Sequence, residues 1–299
     1  MEPNIELSKT RDFSEIISDS FLFIRQNFKP LLSCFFVFCG FFLLAGAIAS
    51  ILQQLKVAEL VNGTDFNNGT VLTSKFSRFS NFGWEYFLTV LFSFITLTLI
   101  PVTMLSFMAL YKAKGNIAPT TEEVWGYIKY YFLKVFGSNI LNLIILIIAT
   151  LFCLVPGIYL YPILGLMFPI MIVENTSYGY AFSQSFRLIK DNWWMTFGAL
   201  FIAGLIAYIC LALITVPLAA VNIWSTLFHQ VKHVHLSIVS IVLGSVLAHV
   251  AHIFYILPLV TLGLCYFSLT ESKDATGLMD RINQLGDNTP DTNAPAEEY

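Results

Sequence analysis

Charge is what this 299-residue chain has least of. Asp, Glu, Lys and Arg make up 12% of it, against 57% hydrophobic residues, where a soluble domain carries about 25% charged residues to solvate its surface. A water-facing surface of ordinary size cannot be built from that composition. The net charge of -3 lacks the basic field that competes for condensed counterions, which argues against nucleic acid as a partner. Cysteine is sparse and shows no paired spacing: Cys34, Cys39, Cys153, Cys210 and Cys265 all fall inside apolar runs, as small core residues do, and not as a disulfide or zinc framework would. Equally absent are two histidines flanking a glutamate, a nucleophile elbow and a phosphate-binding glycine loop. Nothing therefore points to an enzyme, and no catalytic residue, cofactor or metal is expected. The first 30 residues are polar with mixed charge and lack the features of a cleavable signal peptide, so the first apolar run is expected to serve as the insertion signal.

What the chain has in abundance is long apolar runs. A bilayer core needs roughly 20 apolar residues in a helix, because no backbone polar group can stay unpaired in hydrocarbon. Leu31 to Leu52, Trp84 to Tyr111, Val135 to Val155 and Met195 to Val216 meet that length. Ser237 to Leu269 exceeds it, and its start is expected to tilt or to lie in the outer interface. Tyr159 to Val173 is short and carries Pro162 and Pro169. By length it could be re-entrant, but a full crossing preserves the charge asymmetry. With six crossings and both ends in the cytoplasm, twelve Lys and Arg residues fall on the inner side and four (Lys56, Lys75, Arg78, Lys232) on the outer, as the positive-inside rule requires.

An internal repeat gives the crossings an order. Phe13, Ile16, Ile17, Ser20, Phe21, Ile24 and Phe28 fall at helical spacing, an apolar stripe on a polar helix. A shift of 165 lands on Tyr178, Ala181, Phe182, Ser185, Phe186, Ile189 and Trp193, and also matches Asn27 with Asn192. A shorter copy at a shift of 104 holds Val124, Trp125, Ile128, Lys129 and Phe132, opened by a Thr120 and Glu123 capping box. Each returning span contains an apolar-proline pair, Ile100-Pro101, Phe168-Pro169 and Leu257-Pro258. The expected fold is all-α and polytopic, with about six transmembrane helices as three hairpins, each preceded by a cytoplasmic amphipathic helix. Residues 1–30 form the first such helix, and 31–270 the six-span domain. Within that domain lie a polar outer loop at 55–82 and inner helices at about 120–133 and 177–194. Residues 271–299 form an acidic tail, expected to be disordered after a short helical stretch. The repeats share one orientation and are related by rotation about the membrane normal.

Val155-Pro156-Gly157-Ile158-Tyr159-Leu160, followed by Glu174, Ser185-Phe186, Lys190 and Asn192-Trp193-Trp194, resembles the bacterial inner-membrane family described as the membrane domain of glycerophosphoryl diester phosphodiesterase, with its uncharacterised relatives. The resemblance extends over residues 10 to 270. It implies a six-span module of the bacterial inner membrane. The namesakes carry a separate catalytic barrel of roughly 250 residues, and the expectation is that only the membrane part is present here. Val155-Pro156-Gly157 is expected to form the outer turn between the third and fourth spans.

Several residues stand out against plainer readings. All five histidines lie between His229 and His252. His249 and His252, spaced for one helix face, are the intramembrane ionisable pair to test, though no carboxylate lies near and interfacial or cavity-facing roles outweigh a metal. Glu174 and Asp191 bracket the last inner helix, either for a basic substrate group or, as the plainer reading, to cap it and pair with Arg187 or Lys190. Trp84, Trp125, Trp193 and Trp194 sit at membrane boundaries as anchors. Arg25, Lys29, Lys129, Lys134, Arg187 and Lys190 are placed to meet anionic headgroups, each worth about 1 kcal/mol near the surface. The expected role is a non-enzymatic module that organises lipid or partner proteins at the inner leaflet. Its partners are membrane lipids, with membrane proteins or a second copy of the chain as further partners. A small-molecule or lipid transporter with a cavity between the hairpins is the alternative, and an intramembrane metalloenzyme built on the histidines is a third reading.

Overall fold

The computed structural model describes residues 4–62, 83–152, 154–228 and 238–274, except for the side chains of 57–62 and 218–228. Most of the expected outer loop, Cys153, His229, His233, His235 and residues 275–299 lie outside the described residues. Most of those described are helical: α1 (Phe13–Gln26), α2 (Phe28–Asn62), α3 (Trp84–Ala113), α4 (Thr121–Phe152), α5 (Leu154–Val173), α6 (Tyr178–Ile189), α7 (Trp193–Phe228), α8 (Ile238–Val250), a 3-10 turn (Ala251–Tyr255) and α9 (Ile256–Asp274). Six stretches are long and apolar enough to cross a membrane: Phe28–Lys56, Trp84–Ala113, Thr121–Phe152, Leu154–Val173, Trp193–Pro217 and Ile238–Asp274. The chain is an all-α polytopic membrane protein.

Local chemistry sets the helix limits. At α1, Asp12 and Glu15 form a capping box, which satisfies the first backbone donors. The Glu123 carboxylate does the same for α4, accepting from the Thr120 N–H at 2.7 Å. After α3, Gly115 and Asn116 adopt left-handed backbone, and the Asn116 N–H reaches back to the Tyr111 carbonyl at 2.9 Å. That bond is a Schellman ending, which glycine permits because it has no Cβ. Asn175, left-handed at φ 51, follows α5.

The centre of the bundle is built from returning spans. Helices α3, α5 and α9 pack on one another, while α2, α4 and α7 each pack against the returning limb of their own hairpin. Met104, Met108, Met167, Met171, Val260 and Leu264 are fully enclosed there. A Cβ built on Gly263 would lie 2.5 Å from Met108 Sδ, so a larger residue there would push the Met108 thioether aside. On α5, Gly165 faces Leu262.

The other departures have local causes. The segment 120–133 is not a separate helix: α4 runs unbroken from Thr121 to Phe152, since between Trp125 and Ser138 only the single residues Gly126 and Gly137 weaken it, and a lone glycine costs about 1 kcal/mol. Val155-Pro156-Gly157 belongs to the first turn of α5, where a missing proline N–H removes no helical bond. A Cβ on Gly157 would meet Thr150 Oγ1 at 2.6 Å, as expected where two limbs of a hairpin close together. The long last limb is broken into α8, the 3-10 turn and α9, and Pro258 leaves the carbonyl of Phe254 without its helical donor. Helix α6 ends at Ile189, before the Lys190-Asp191-Asn192 turn, and so is shorter than the helix expected over 177–194.

Residues 4–11 differ most from expectation. They precede α1 as non-helical chain tucked under the end of the bundle where α3, α5 and α9 finish, called the basal end below. Leu7 is fully buried. The Tyr111 hydroxyl donates to the Ile5 carbonyl at 3.2 Å, and the Arg11 N–H donates to Ser268 Oγ at 2.9 Å. The Arg11 guanidinium, almost wholly enclosed, donates to the carbonyls of Glu6, Leu7 and Lys9 and pairs with Asp19 at 2.8 Å.

Candidate functional site

Between α2 and the first half of α4 lies a groove of about 660 Å³, within the roughly 300–1,000 Å³ range of ligand sites. Its α2 wall is Val37, Phe38, Phe41 and Phe42, with Leu99 of α3 behind. Helix α4 supplies Thr121, Glu122, Trp125, Ile128, Lys129 and Phe132, the spacing of a single helix face. Every polar group in the lining thus comes from the first three turns of α4. Direct contact between α2 and α4 is sparse compared with that between α2 and α3. The two walls meet where Phe38 stacks on Trp125, with ring centroids 5.5 Å apart and planes 5° from parallel. Lys129 Nζ sits 5.2 Å from the same indole, a cation-π contact.

The groove opens along the outside of the bundle. Val37, Phe41, Leu44 and Ile48 follow one another on one face of α2 and are 60–71% exposed. In a span this face meets hydrocarbon, because an apolar side chain loses nothing in contact with lipid. The groove is therefore continuous with the lipid-facing surface at one edge and carries charge at the other.

The six basic side chains do not share one fate. Arg187 is committed to the chain's own carboxylate, holding Asp274 at 3.1 and 3.2 Å while its Nε donates to Gln184. Lys29, Lys129, Lys134 and Lys190 form no ion pair with a described carboxylate. Lys134 lies over the Tyr131 ring at 5.9 Å. Arg25 is exposed on α1. Glu174 and Asp191 are structural, with partners other than those expected. Glu174 accepts from the Tyr266 hydroxyl at 2.9 Å, and Asp191 pairs with Lys273. Burial holds the Glu174 carboxyl above its ordinary 4.5, and Asp274 adds to this, while the Tyr266 hydroxyl and Arg187 work against it. The exposed Asp191 carboxyl is held below its ordinary value, first by its hydrogen bond from Lys273.

Trp84 and Trp194 are exposed at 63% and 79%, as membrane anchors would be. Trp125 forms the groove wall. Trp193 is tied to α5 instead, its indole N–H donating to the Tyr159 carbonyl at 3.1 Å and its ring stacking on Tyr159 and Phe197.

The histidine pair lies away from the groove, in a polar seam where α8 meets α2. The ring centroids are 5.6 Å apart. His249 Nδ1 donates to the Ser245 carbonyl at 2.8 Å and His252 Nδ1 to the Ala248 carbonyl at 3.0 Å, since a carbonyl can only accept. His249 lies against Gly46, where a Cβ would come within 3.0 Å of Nε2, and Gln54 Nε2 donates to Ser245 Oγ at 2.8 Å. No group of three or more metal-ligating side chains occurs among the described residues.

Single-sequence patterns missed two parts of this arrangement, the groove and the buried 4–11 segment. The only sequence signal for the groove is the adjacent apolar pairs Val37-Phe38 and Phe41-Phe42, spaced one turn apart.

No family model, curated protein or solved structure matches the chain.

Proposed function

We propose that the chain is a non-enzymatic module of the bacterial inner membrane that holds lipid at the inner leaflet, through the groove between α2 and α4. The carrying observation is the groove itself, which is apolar on two helices, charged only where α4 begins, and open along the lipid-facing side of the bundle. The basal end faces the cytoplasm in this reading, with twelve basic residues on that side against four on the other. Lys29, Lys129, Lys134 and Lys190 then meet headgroups, each adding about 1 kcal/mol.

A threefold arrangement about the membrane normal accompanies this reading. Its support is a recurring packing scheme in which α1 packs on α9, α4 on α3, and α6 on α5. Each inner helix thus sits on the returning span of the hairpin before it, taken in a circle. Burial repeats as well: Ile16 and Ala181, Ser20 and Ser185, and Phe23 and Leu188, each pair 165 apart, are all fully enclosed. The close packing of α3, α5 and α9 supports a holding role over a transporter with a cavity between the hairpins. The resemblance to the phosphodiesterase membrane family fits a lipid-associated role without catalysis.

The test is retention of lipid by the purified full-length chain. In mild detergent the protein should carry phospholipid visible by native mass spectrometry, and Trp125→Ala together with Phe41→Glu should abolish most of it. Unchanged lipid content in that double variant, with the fold intact by circular dichroism, would overturn the reading.

A further inference from the structure

We infer that the groove selects a zwitterionic glycerophospholipid with a primary amine in its headgroup, the ethanolamine class. This deepens the reading given above and rests on it. Within a bilayer the apolar part of such a groove cannot discriminate, because every competing lipid offers equivalent tails and leaving bulk lipid gains no hydrophobic energy. Selectivity must come from the polar groups, and these are of two signs. Glu122 and Lys129 lie seven residues apart on the face of α4 that lines the groove, about 10 Å along the axis, with Trp125 between them.

The pair is not consumed internally. The neighbouring Lys114 is taken by Glu123 at 2.9 Å, and neither Glu122 nor Lys129 pairs with a described residue of opposite charge. A phosphate fits Lys129, whose ammonium is a compact point charge with three donors. An ammonium fits Glu122, which accepts only. A lipid carrying both satisfies both.

The competing headgroups each leave a charge unmatched. An anionic lipid without an amine satisfies Lys129 but leaves the Glu122 carboxylate without a cation. A choline lipid has the positive charge but no N–H to donate to the carboxylate, and the aromatic face that would otherwise hold a quaternary ammonium is already occupied by Lys129, 5.2 Å from Trp125.

The full-length chain is reconstituted in vesicles of equal phosphatidylethanolamine, phosphatidylcholine and phosphatidylglycerol, extracted into mild detergent, and its bound lipid identified by native mass spectrometry. The wild type should retain phosphatidylethanolamine about fivefold over either competitor, the factor expected of one surface charge contact. E122Q should remove that preference and raise phosphatidylglycerol, while K129Q should lower retention of all three phospholipids. Both substitutions are at exposed positions, and thermal unfolding checks that they leave the fold intact. If phosphatidylglycerol is retained as well as phosphatidylethanolamine, or E122Q leaves the preference unchanged, the headgroup inference fails while lipid holding stands. If the wild type retains no lipid in any mixture, both fail.

Discussion

Arg11 and Glu174 show how single residues hold the basal end together. The Arg11 guanidinium serves three carbonyls and one carboxylate in an almost wholly enclosed site. Arg11→Met keeps the stem but strands those acceptors, and a broken buried pair costs about 3 kcal/mol. Denaturant unfolding in detergent should show a loss of that order. Glu174 acts in the opposite sense, because burial raises its pKa and the fold therefore favours its protonated form. Its contribution to stability is present at low pH and is lost as pH rises through the raised pKa. Between about pH 4 and about pH 8 the wild type should lose thermal stability relative to Glu174→Gln, which keeps an acceptor for Tyr266 and does not titrate. A difference between the two proteins that stays flat with pH would refute this. At this scale little could be read from the sequence. That Arg11 would be buried depends on Ser268 and that Glu174 would meet Tyr266 depends on the packing of α5 on α9, contacts separated by 257 and 92 residues.

At the scale of the elements the spans were readable, because twenty apolar residues in hydrocarbon have few alternatives to a helix. The start of α4 at the Thr120–Glu123 capping box was readable because that signature is local. The join between the inner helix at 120–133 and the span after it was not, since amphipathic and apolar stretches follow one another there without a proline or paired glycines. The groove stayed hidden because its walls are rows on helices some 80 residues apart in sequence, each ordinary by itself. The continuity of α4 has a direct consequence. Leu133, exposed at 76%, lies where two separate helices would have met. A proline there should be tolerated by a hinge but should cost about 3 kcal/mol in an unbroken helix. Thermal unfolding of Leu133→Pro should show the larger effect, and lipid retention should fall with it, because α4 carries every polar group of the groove.

For the whole molecule, a packed centre of three returning spans surrounded by outgoing ones leaves the groove between α2 and α4 on the outside of the bundle. Orientation then determines which leaflet the groove serves. In a background with the native cysteines replaced, Ser18→Cys on α1, Gly126→Cys on α4 and Ser183→Cys on α6 should all react with an impermeant thiol reagent from the cytoplasmic side, and Trp84→Cys from the other. Reaction of the first three from different sides would dismantle the threefold scheme. The central claim, that lipid resides in the groove between α2 and α4, is tested most directly by photo-crosslinking after the protein has been stripped of bulk lipid in detergent. A photoreactive phenylalanine at position 125 should capture a phospholipid, and one at position 208 on α7, where Tyr208 is 67% exposed against 45% for Trp125, should capture none. Absence of an adduct at 125, or equal adducts at both positions, would contradict the account.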